Sequence, residues 1–304
     1  MIVITGATGN TGKVIAERLL ARQSSGGQAA GEEVRVIGRS AEKLAPLVAL
    51  GAEAAPCDVT DAVGLTRAFA GATAVFVLSP PNYKAQSLRA HQEAVSDTMV
   101  TALHQCGVKY AVTLSSVGAD KSEKTGPVLG LHYLEEKLNR IAGLNVLHLR
   151  PAYFMENHMQ YIGLIKSMGL TAGTLKSELA IPMIATRDIA AAAADALRAR
   201  DWTGSVAREL LGPRDYAMKE VAAILGASIG KPNLSYSQMP AMMVKPAMLS
   251  MGMSADMASN LLEMLDAMNS GRMKPLEIRS PANTTRTTLE QFAADTFAPA
   301  FAKK

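Results

Sequence analysis

Ile2-Val3-Ile4-Thr5-Gly6-Ala7-Thr8-Gly9-Asn10-Thr11-Gly12 opens the chain, and its reading decides the rest. An apolar run of strand length meets Gly6, Gly9 and Gly12, and Val14, Ile15, Leu19 and Leu20 then recur near helical spacing. A glycine turn between a strand and a helix lets the backbone approach a pyrophosphate closely. The N-terminus of the helix then offers free N–H groups and the positive end of its dipole to that anion. Gly6, Gly9 and Gly12 are therefore candidate cofactor-binding residues, with Thr8, Asn10 and Thr11 as side-chain donors. A purely structural glycine turn is the alternative; the flanking strand and helix favour binding.

Outward from this loop the chain alternates short apolar runs with helical patterns. Strands are expected at residues 2–5, 34–37, 52–56, 74–78, 110–114 and 146–149, and helices at 11–22 and 85–105. This alternation predicts an α/β fold, a doubly wound parallel sheet with helices on both faces, whose ligands bind beyond the carboxyl ends of the strands. Past residue 149 the pattern loosens, with helices expected at 187–198, 218–225 and 254–268. We expect a dinucleotide-binding core over 1–150 and a small C-terminal α/β substrate lobe over 151–304, interleaved with the core. Residues 23–31 read as a surface insertion, since such connections are usually short. Ten of the 17 methionines fall between Met239 and Met273; core filling is favoured there over an adaptable pocket wall.

Composition removes several function classes. Apolar residues make up 48% of the 304, enough for a sizeable core. The formal charge is only +4, with no basic stripe, which argues against nucleic-acid binding. Two cysteines, Cys57 and Cys106, lie far apart and suggest neither a disulfide framework nor a zinc site. No metal site is expected, Glu156 and His158 lacking a third ligand at a suggestive spacing. No secretory leader or membrane-length apolar run is read, so the expected setting is cytoplasmic.

The second strand sharpens the ligand. A ribose 2′-hydroxyl is held at that strand's tip by Asp or Glu, whereas a 2′-phosphate needs a cation. Here stand Arg39, Ser40 and, about a helical turn on, Lys43, so NADP(H) is the expected cofactor. Asp58 and Val59 follow the third strand; Asp58 either holds the adenine edge or caps the next helix. Leu78, Ser79 and Pro80, Ser115 and Ser116, and Tyr153 stand at the ends of the fourth, fifth and sixth strands as further cofactor-binding candidates. Asn82, Tyr83, Val117, Phe154 and Asn157 are the substrate candidates, with Tyr153 and Phe154 offering flat faces to an aromatic ring.

Gly6–Gly12, Arg39, Cys57-Asp58-Val59, Leu114-Ser115-Ser116-Val117, Leu149-Arg-Pro-Ala-Tyr-Phe-Met-Glu-Asn157 and Ser280-Pro-Ala-Asn-Thr-Thr285 together resemble the NmrA-like branch of the atypical short-chain dehydrogenases. The resemblance implies a Rossmann core with a small substrate lobe. It also implies one of two functions: an NADPH-dependent quinone, azo-dye or related reductase, or a redox-sensing regulator without clear catalysis. Common short-chain dehydrogenases use Ser, Tyr and Lys. Ser115 stands in the expected place, and Tyr133-Leu-Glu-Glu-Lys137 reads as the Tyr–Lys pair. Counted back from the sixth strand, that pair falls about one helical turn late. The position resembling the lysine is His132, and the residue four before it is Val128. The catalytic candidates are thus His132, Ser115, Tyr133 and Lys137. His132 reads equally as a ribose or proton-donor contact and as a histidine satisfied by a backbone carbonyl. The expected function is NADPH-dependent hydride transfer to a quinone-like or other conjugated, electron-poor small molecule. The alternative is a non-catalytic NADP(H) sensor. The helix at 85–105 could serve a homodimer.

Overall fold

The computed structural model describes residues 1–21 and 33–303; the insertion expected at 23–31 lies outside them. Twelve strands follow in chain order among these residues. They are β1 (Ile2–Ile4), β2 (Val34–Gly38), β3 (Glu53–Pro56), β4 (Ala74–Val77), β5 (Tyr110–Leu114), β6 (Asn145–Pro151), β7 (Tyr153–Phe154), β8 (Thr171–Gly173), β9 (Ala180–Ile184), β10 (Ser205–Leu210), β11 (Asp215–Ala217) and β12 (Tyr236–Gln238). The principal helices are α1 (Asn10–Ala21), α2 (Ala41–Val48), α3 (Ala62–Phe69), α4 (Leu88–Gln105), α5 (Val128–Leu138), α6 (Tyr161–Met168), α7 (Thr186–Ala199), α8 (Met218–Ser228), α9 (Ala241–Ser250) and α10 (Ala255–Asn269).

The main sheet has seven strands in the order β10-β6-β5-β4-β1-β2-β3, every pair parallel. It is the expected doubly wound Rossmann-type sheet. Successive side chains of a strand point to opposite faces, and the cores divide accordingly. Ile2, Ile4, Ala74, Phe76, Val112, Leu147 and Leu149 bury against α1, α2 and α7. Val3, Ile37, Val75, Val77, Ala111 and Val146 bury against α3, α4 and α5. Both faces are covered, so the strands read as continuous apolar runs rather than alternating ones. The small Ala190, Ala193 and Ala194 of α7 pack in the same core as Ile15, Ala16 and Leu19 of α1.

The seventh strand, β10, and the helix before it belong to this core although they lie past residue 151. The chain leaves the sheet after β6, returns for α7 and β10, and leaves again. The lobe holds β11-β9-β7 and β12-β8 as small sheets around a third core that includes Met155, Tyr161, Met183, Tyr216, Leu225 and Phe292. Helix α4 begins later than expected because Ser87 caps it, its side chain accepting from the Ala90 N–H.

Candidate functional site

The loops after β1, β2, β3, β4, β5 and β6 gather at the carboxyl edge of the sheet. Gly6 has φ +63°, a conformation that costs an L side chain. An ideal Cβ on Gly12 would lie 2.4 Å from the Gly6 carbonyl oxygen, so α1 seats on the turn only because Gly12 has no side chain. At Gly9 the nearest atom to such a Cβ is 3.4 Å away. The fold itself leaves room there, and the open, exposed backbone suits close approach by a ligand. Thr8 and Asn10 are exposed beside it. Thr11, expected as a further side-chain donor, is 4% exposed.

Thr5, unremarked in the sequence, ties two of these loops together. Its hydroxyl donates to the Phe76 carbonyl at 2.9 Å and accepts from the Leu78 N–H at 2.8 Å. Leu78 is thereby held against Gly6, with Ser79 and Pro80 partly exposed beyond it.

At the tip of β2, Arg39 is exposed and makes no side-chain hydrogen bond or ion pair among the described residues. Ser40 is the N-cap of α2, accepting from the Lys43 N–H at 3.3 Å, so its oxygen is partly committed. Lys43 lines a cavity of about 230 Å³ with Ala7, Thr8, Lys13, Pro46 and Leu47. Lys13 is a cation the sequence reading missed; its place directly after the last glycine is the signal that marks it. Asp58 accepts from Thr60 N at 2.9 Å and Thr60 Oγ1 at 2.7 Å. Those bonds, with Arg39 and His91 nearby, hold its carboxyl below the usual range. The cap of α3 is Asp61, which accepts from the Gly64 N–H, and this leaves Val59 and Asp58 beside the open edge. Asn82 accepts from the Lys84 N–H within its own turn, and Tyr83 is 52% exposed.

The end of β5 departs from expectation. Ser115 Oγ donates to Glu135 Oε1 at 2.5 Å. Arg150 Nε donates to the same oxygen at 3.0 Å, and Arg150 Nη2 bonds Glu135 Oε2. Glu135 is buried. The Tyr133 hydroxyl instead donates to Asp97 of α4 at 3.0 Å, and Lys137 pairs with the same carboxylate at 3.0 Å, 4.8 Å above the Tyr133 ring. The Tyr–Lys pair exists but faces away from Ser115. At 3.6 residues per turn, Tyr133 lies about 200° around the helix from Glu135. His132, three residues before Glu135, shares its face. Its Nδ1–H donates to the Ala119 carbonyl at 2.8 Å, and a carbonyl can only accept, which leaves Nε2 as the free nitrogen. Ser116 donates to the Val117 carbonyl. Val117, expected among the substrate contacts, is 7% exposed and packs in the main core.

Beyond β6, Phe154 is half-buried against the main core, whereas Tyr153 packs into the lobe. The Tyr153 ring lies 5.5 Å from His158, which stacks on Tyr161 at 5.8 Å. Burial pushes the Tyr153 phenol up to about 12, with Asn157 pulling the other way. Asn157 itself is exposed. Burial pushes His158 down to about 3, so its ring is neutral. Glu156 accepts the backbone N–H and the hydroxyl of Thr186 at the start of α7. No group of three metal-holding side chains occurs among the described residues.

Helix α10 crosses above this edge. Asp256 accepts from the Leu88 N–H, Glu263 from the Gly126 N–H, and Ser254 N donates to the Tyr83 carbonyl. A Cβ on Gly118 would meet Met273 at 2.8 Å, so that methionine lies on the loop after β5. The methionine-rich segment is thus divided. Met257 is buried, while Met242, Met243 and Met251 are 81%, 59% and 75% exposed, and α9 buries no residue.

A glycine turn on β1, exposed cations at the tip of β2 and small sheets appended beyond β6 define an α/β protein with a Rossmann-type sheet and an added lobe. The model of the NmrA-like family matches residues 1–293, and the chain belongs to that family. It is 28% identical over 233 residues to a (4-alkanoyl-5-oxo-2,5-dihydrofuran-3-yl)methyl phosphate reductase of Streptomyces griseus, covering 76% of this chain and 75% of that one. It is 27% identical over 266 residues to quinone oxidoreductase 2 of Escherichia coli, covering 86% of each. Its fold is similar to the crystal structure of an NADPH-dependent quinone oxidoreductase from Escherichia coli in complex with NADPH. The TM-score is 0.81 at 23% identity, over 98% of this chain and 100% of that one. No helix among the described residues is long and apolar enough to cross a membrane.

Proposed function

We propose that this protein is an NADPH-dependent oxidoreductase that passes hydride to a quinone-like or other conjugated, electron-poor small molecule. The observation that carries the cofactor is the cradle: a turn closed by Gly12, open backbone at Gly9, Lys43 and Lys13 lining one cavity beside it, Lys13 within 3.7 Å of Glu17, and Arg39 exposed at the tip of β2. The glycine loop and the start of α1 take the pyrophosphate. Arg39, Lys43 and Lys13 take the 2′-phosphate, and Asp58 takes an adenine-edge donor. Leu78, Ser79, Pro80, Ser115 and Ser116 line the nicotinamide half. NADPH supplies the hydride when bound.

The substrate class is supported by the relatives, one named for a quinone and one for an unsaturated furanone, both with a carbonyl in an electron-poor ring. Reducing a quinone to a hydroquinone takes one hydride and one proton. Tyr153 keeps its proton at neutral pH and stands at the end of β6 as a donor to a developing oxyanion. Tyr153, Phe154 and Tyr83 offer ring faces, with Asn82 and Asn157 as polar contacts, and α10 with Met273 shields the site from water. In this reading Tyr153 moves from the cofactor side to the substrate side. Mixing the protein with NADPH and a panel of quinones, azo dyes and enones should give NADPH oxidation above background; none would count against the reading.

A second reading, a redox sensor that binds NADP(H) without turnover, is favoured by one observation: Tyr133 and Lys137 face Asp97 instead of Ser115. Tight dinucleotide binding with no turnover on any acceptor would select it. A homodimer through the outer face of α4 and α5 belongs to the same proposal. Val100, Thr101, His104 and Ile141 line a groove of about 350 Å³ there. Light scattering giving a monomer mass would remove that part.

A further inference from the structure

A serine hydroxyl has one hydrogen to give and two lone pairs to offer, whereas an ionised carboxylate only accepts. Ser115 Oγ lies 2.5 Å from Glu135 Oε1, and Glu135 is held by both nitrogens of the Arg150 fork. Bidentate pairing with Arg150, which can only donate, turns both carboxylate oxygens into acceptors and fixes the plane of the group. The single hydrogen of Ser115 is therefore spent on Glu135, and only lone pairs remain for anything else. The loop has no freedom to reverse this. Ser115 N donates to the Leu149 carbonyl and Val117 N to the Pro151 carbonyl. His132 holds Ala119, and Met273 covers Gly118.

The sheet order says which part of a dinucleotide reaches this acceptor. The phosphate loop follows β1. Arg39 and Asp58, at the ends of β2 and β3, lie to one side of it; β4 and then β5 lie to the other. Strands are spaced about 4.8 Å apart, so β5 is roughly 10 Å from the loop's strand on the side opposite the adenine. The ligand group at that end is the nicotinamide, whose carboxamide carries N–H donors. We propose that Glu135 is a positioning residue that fixes the Ser115 hydroxyl as a hydrogen-bond acceptor, and that Ser115 accepts from the carboxamide N–H of the bound nicotinamide. Ser115 then orients the cofactor and does not donate to the substrate oxyanion. This rests on the NADP(H) reading above.

The test compares binding of NADPH with that of its 3-acetylpyridine analogue, which keeps the carbonyl and replaces the amide NH₂ by methyl. Fluorescence titration of the unaltered protein should show NADPH bound about three- to tenfold more tightly, the range of one neutral hydrogen bond. Ser115→Ala should abolish that ratio; because it also removes a donor from the buried Glu135, its unfolding temperature should fall, and binding is read on protein that far-UV circular dichroism shows to be folded. Glu135→Gln, whose amide can donate to Ser115 and free its hydrogen, should lower the ratio as well. If Glu135→Gln fails to fold, Ser115→Ala decides alone. A ratio near one in the unaltered protein, or a ratio preserved in Ser115→Ala, overturns the inference and leaves the cofactor reading intact. Failure of the unaltered protein to bind either dinucleotide overturns both.

Discussion

The missing side chain of Gly12 faces the carbonyl oxygen of Gly6, with 2.4 Å between that oxygen and the position a Cβ would take. Gly9, three residues earlier, meets nothing closer than 3.4 Å. Gly12 is thus required by the fold, whereas Gly9 is not, and the proposed dinucleotide gives Gly9 its reason. Gly12→Ala should destabilise the protein by about 1–3 kcal/mol, the range for forcing extra atoms into packed structure. Gly9→Ala should stay within about 0.5 kcal/mol of the unaltered protein, yet bind NADPH at least tenfold more weakly. Thermal unfolding and fluorescence titration on the same samples check the pair; equal unfolding temperatures for both variants would contradict it.

Arg39 is exposed, makes no side-chain hydrogen bond or ion pair among the described residues and has Asp58 as an electrostatic neighbour, so its replacement should change stability little and act on the ligand. Arg39→Asp should weaken NADPH by about tenfold or more, the scale of a lost charge-assisted hydrogen bond, and improve NADH relative to it. Lys13→Ala and Lys43→Ala should each shift the same ratio in the same direction. Unchanged selectivity in Arg39→Asp would refute the assignment of the 2′-phosphate.

Tyr133 and Lys137 share Asp97 on the outer side of α5. Tyr133→Phe and Lys137→Ala should therefore change kcat/KM less than twofold and stability by no more than about 0.5–1 kcal/mol, as for an exposed pair. A proton-donating pair would instead cost about 10²-fold or more in rate. Steady-state kinetics on the two variants separates these outcomes.

Acid should unfold the protein through two buried histidines. His148 is bonded to Thr113 and Asn139, and burial holds it down to about 4; His158 is held down to about 3. Each binds its proton more readily when unfolded, so stability is full above the unfolded value of 6.5 and is lost as pH falls below it. The loss stops only at the folded values, near 4 and 3. Between pH 7 and pH 5 each histidine should cost about 2 kcal/mol. Urea denaturation at the two pH values checks this, and His158→Phe should flatten the slope by close to half.

Much of the fold was legible along the chain. The strand–glycine–helix opening is local chemistry, and β2, β4, β5 and β6 announce themselves as short apolar runs because both faces of the sheet are covered. The place of Arg39 at the tip of β2 was legible for the same reason, since it directly follows that strand. The strand β10 was not. It lies at the sheet's edge, and its sequence Ser205-Val-Ala-Arg-Glu-Leu210 mixes polar and apolar residues. Only its pairing with β6 places it in the core.

The limits show most clearly around the opening loop and Ser115. The glycine turn and Arg39 each follow directly on a strand, so spacing alone placed the turn and the exposed arginine at strand ends. The partner of Ser115 is set by the rotation of α5 against the sheet. A shift of two residues in that rotation would have brought Tyr133 to Ser115 in place of Glu135, and no periodicity in the sequence specifies it. Helix rotation depends on which side chains bury: Leu134 and Leu138 enter the core under α5, and Arg150 arrives from β6 to neutralise Glu135. Those contacts join residues 15 to 20 positions apart. A carboxylate that takes a serine's only hydrogen is therefore a property of the packed molecule, whereas the glycine turn is a property of the chain.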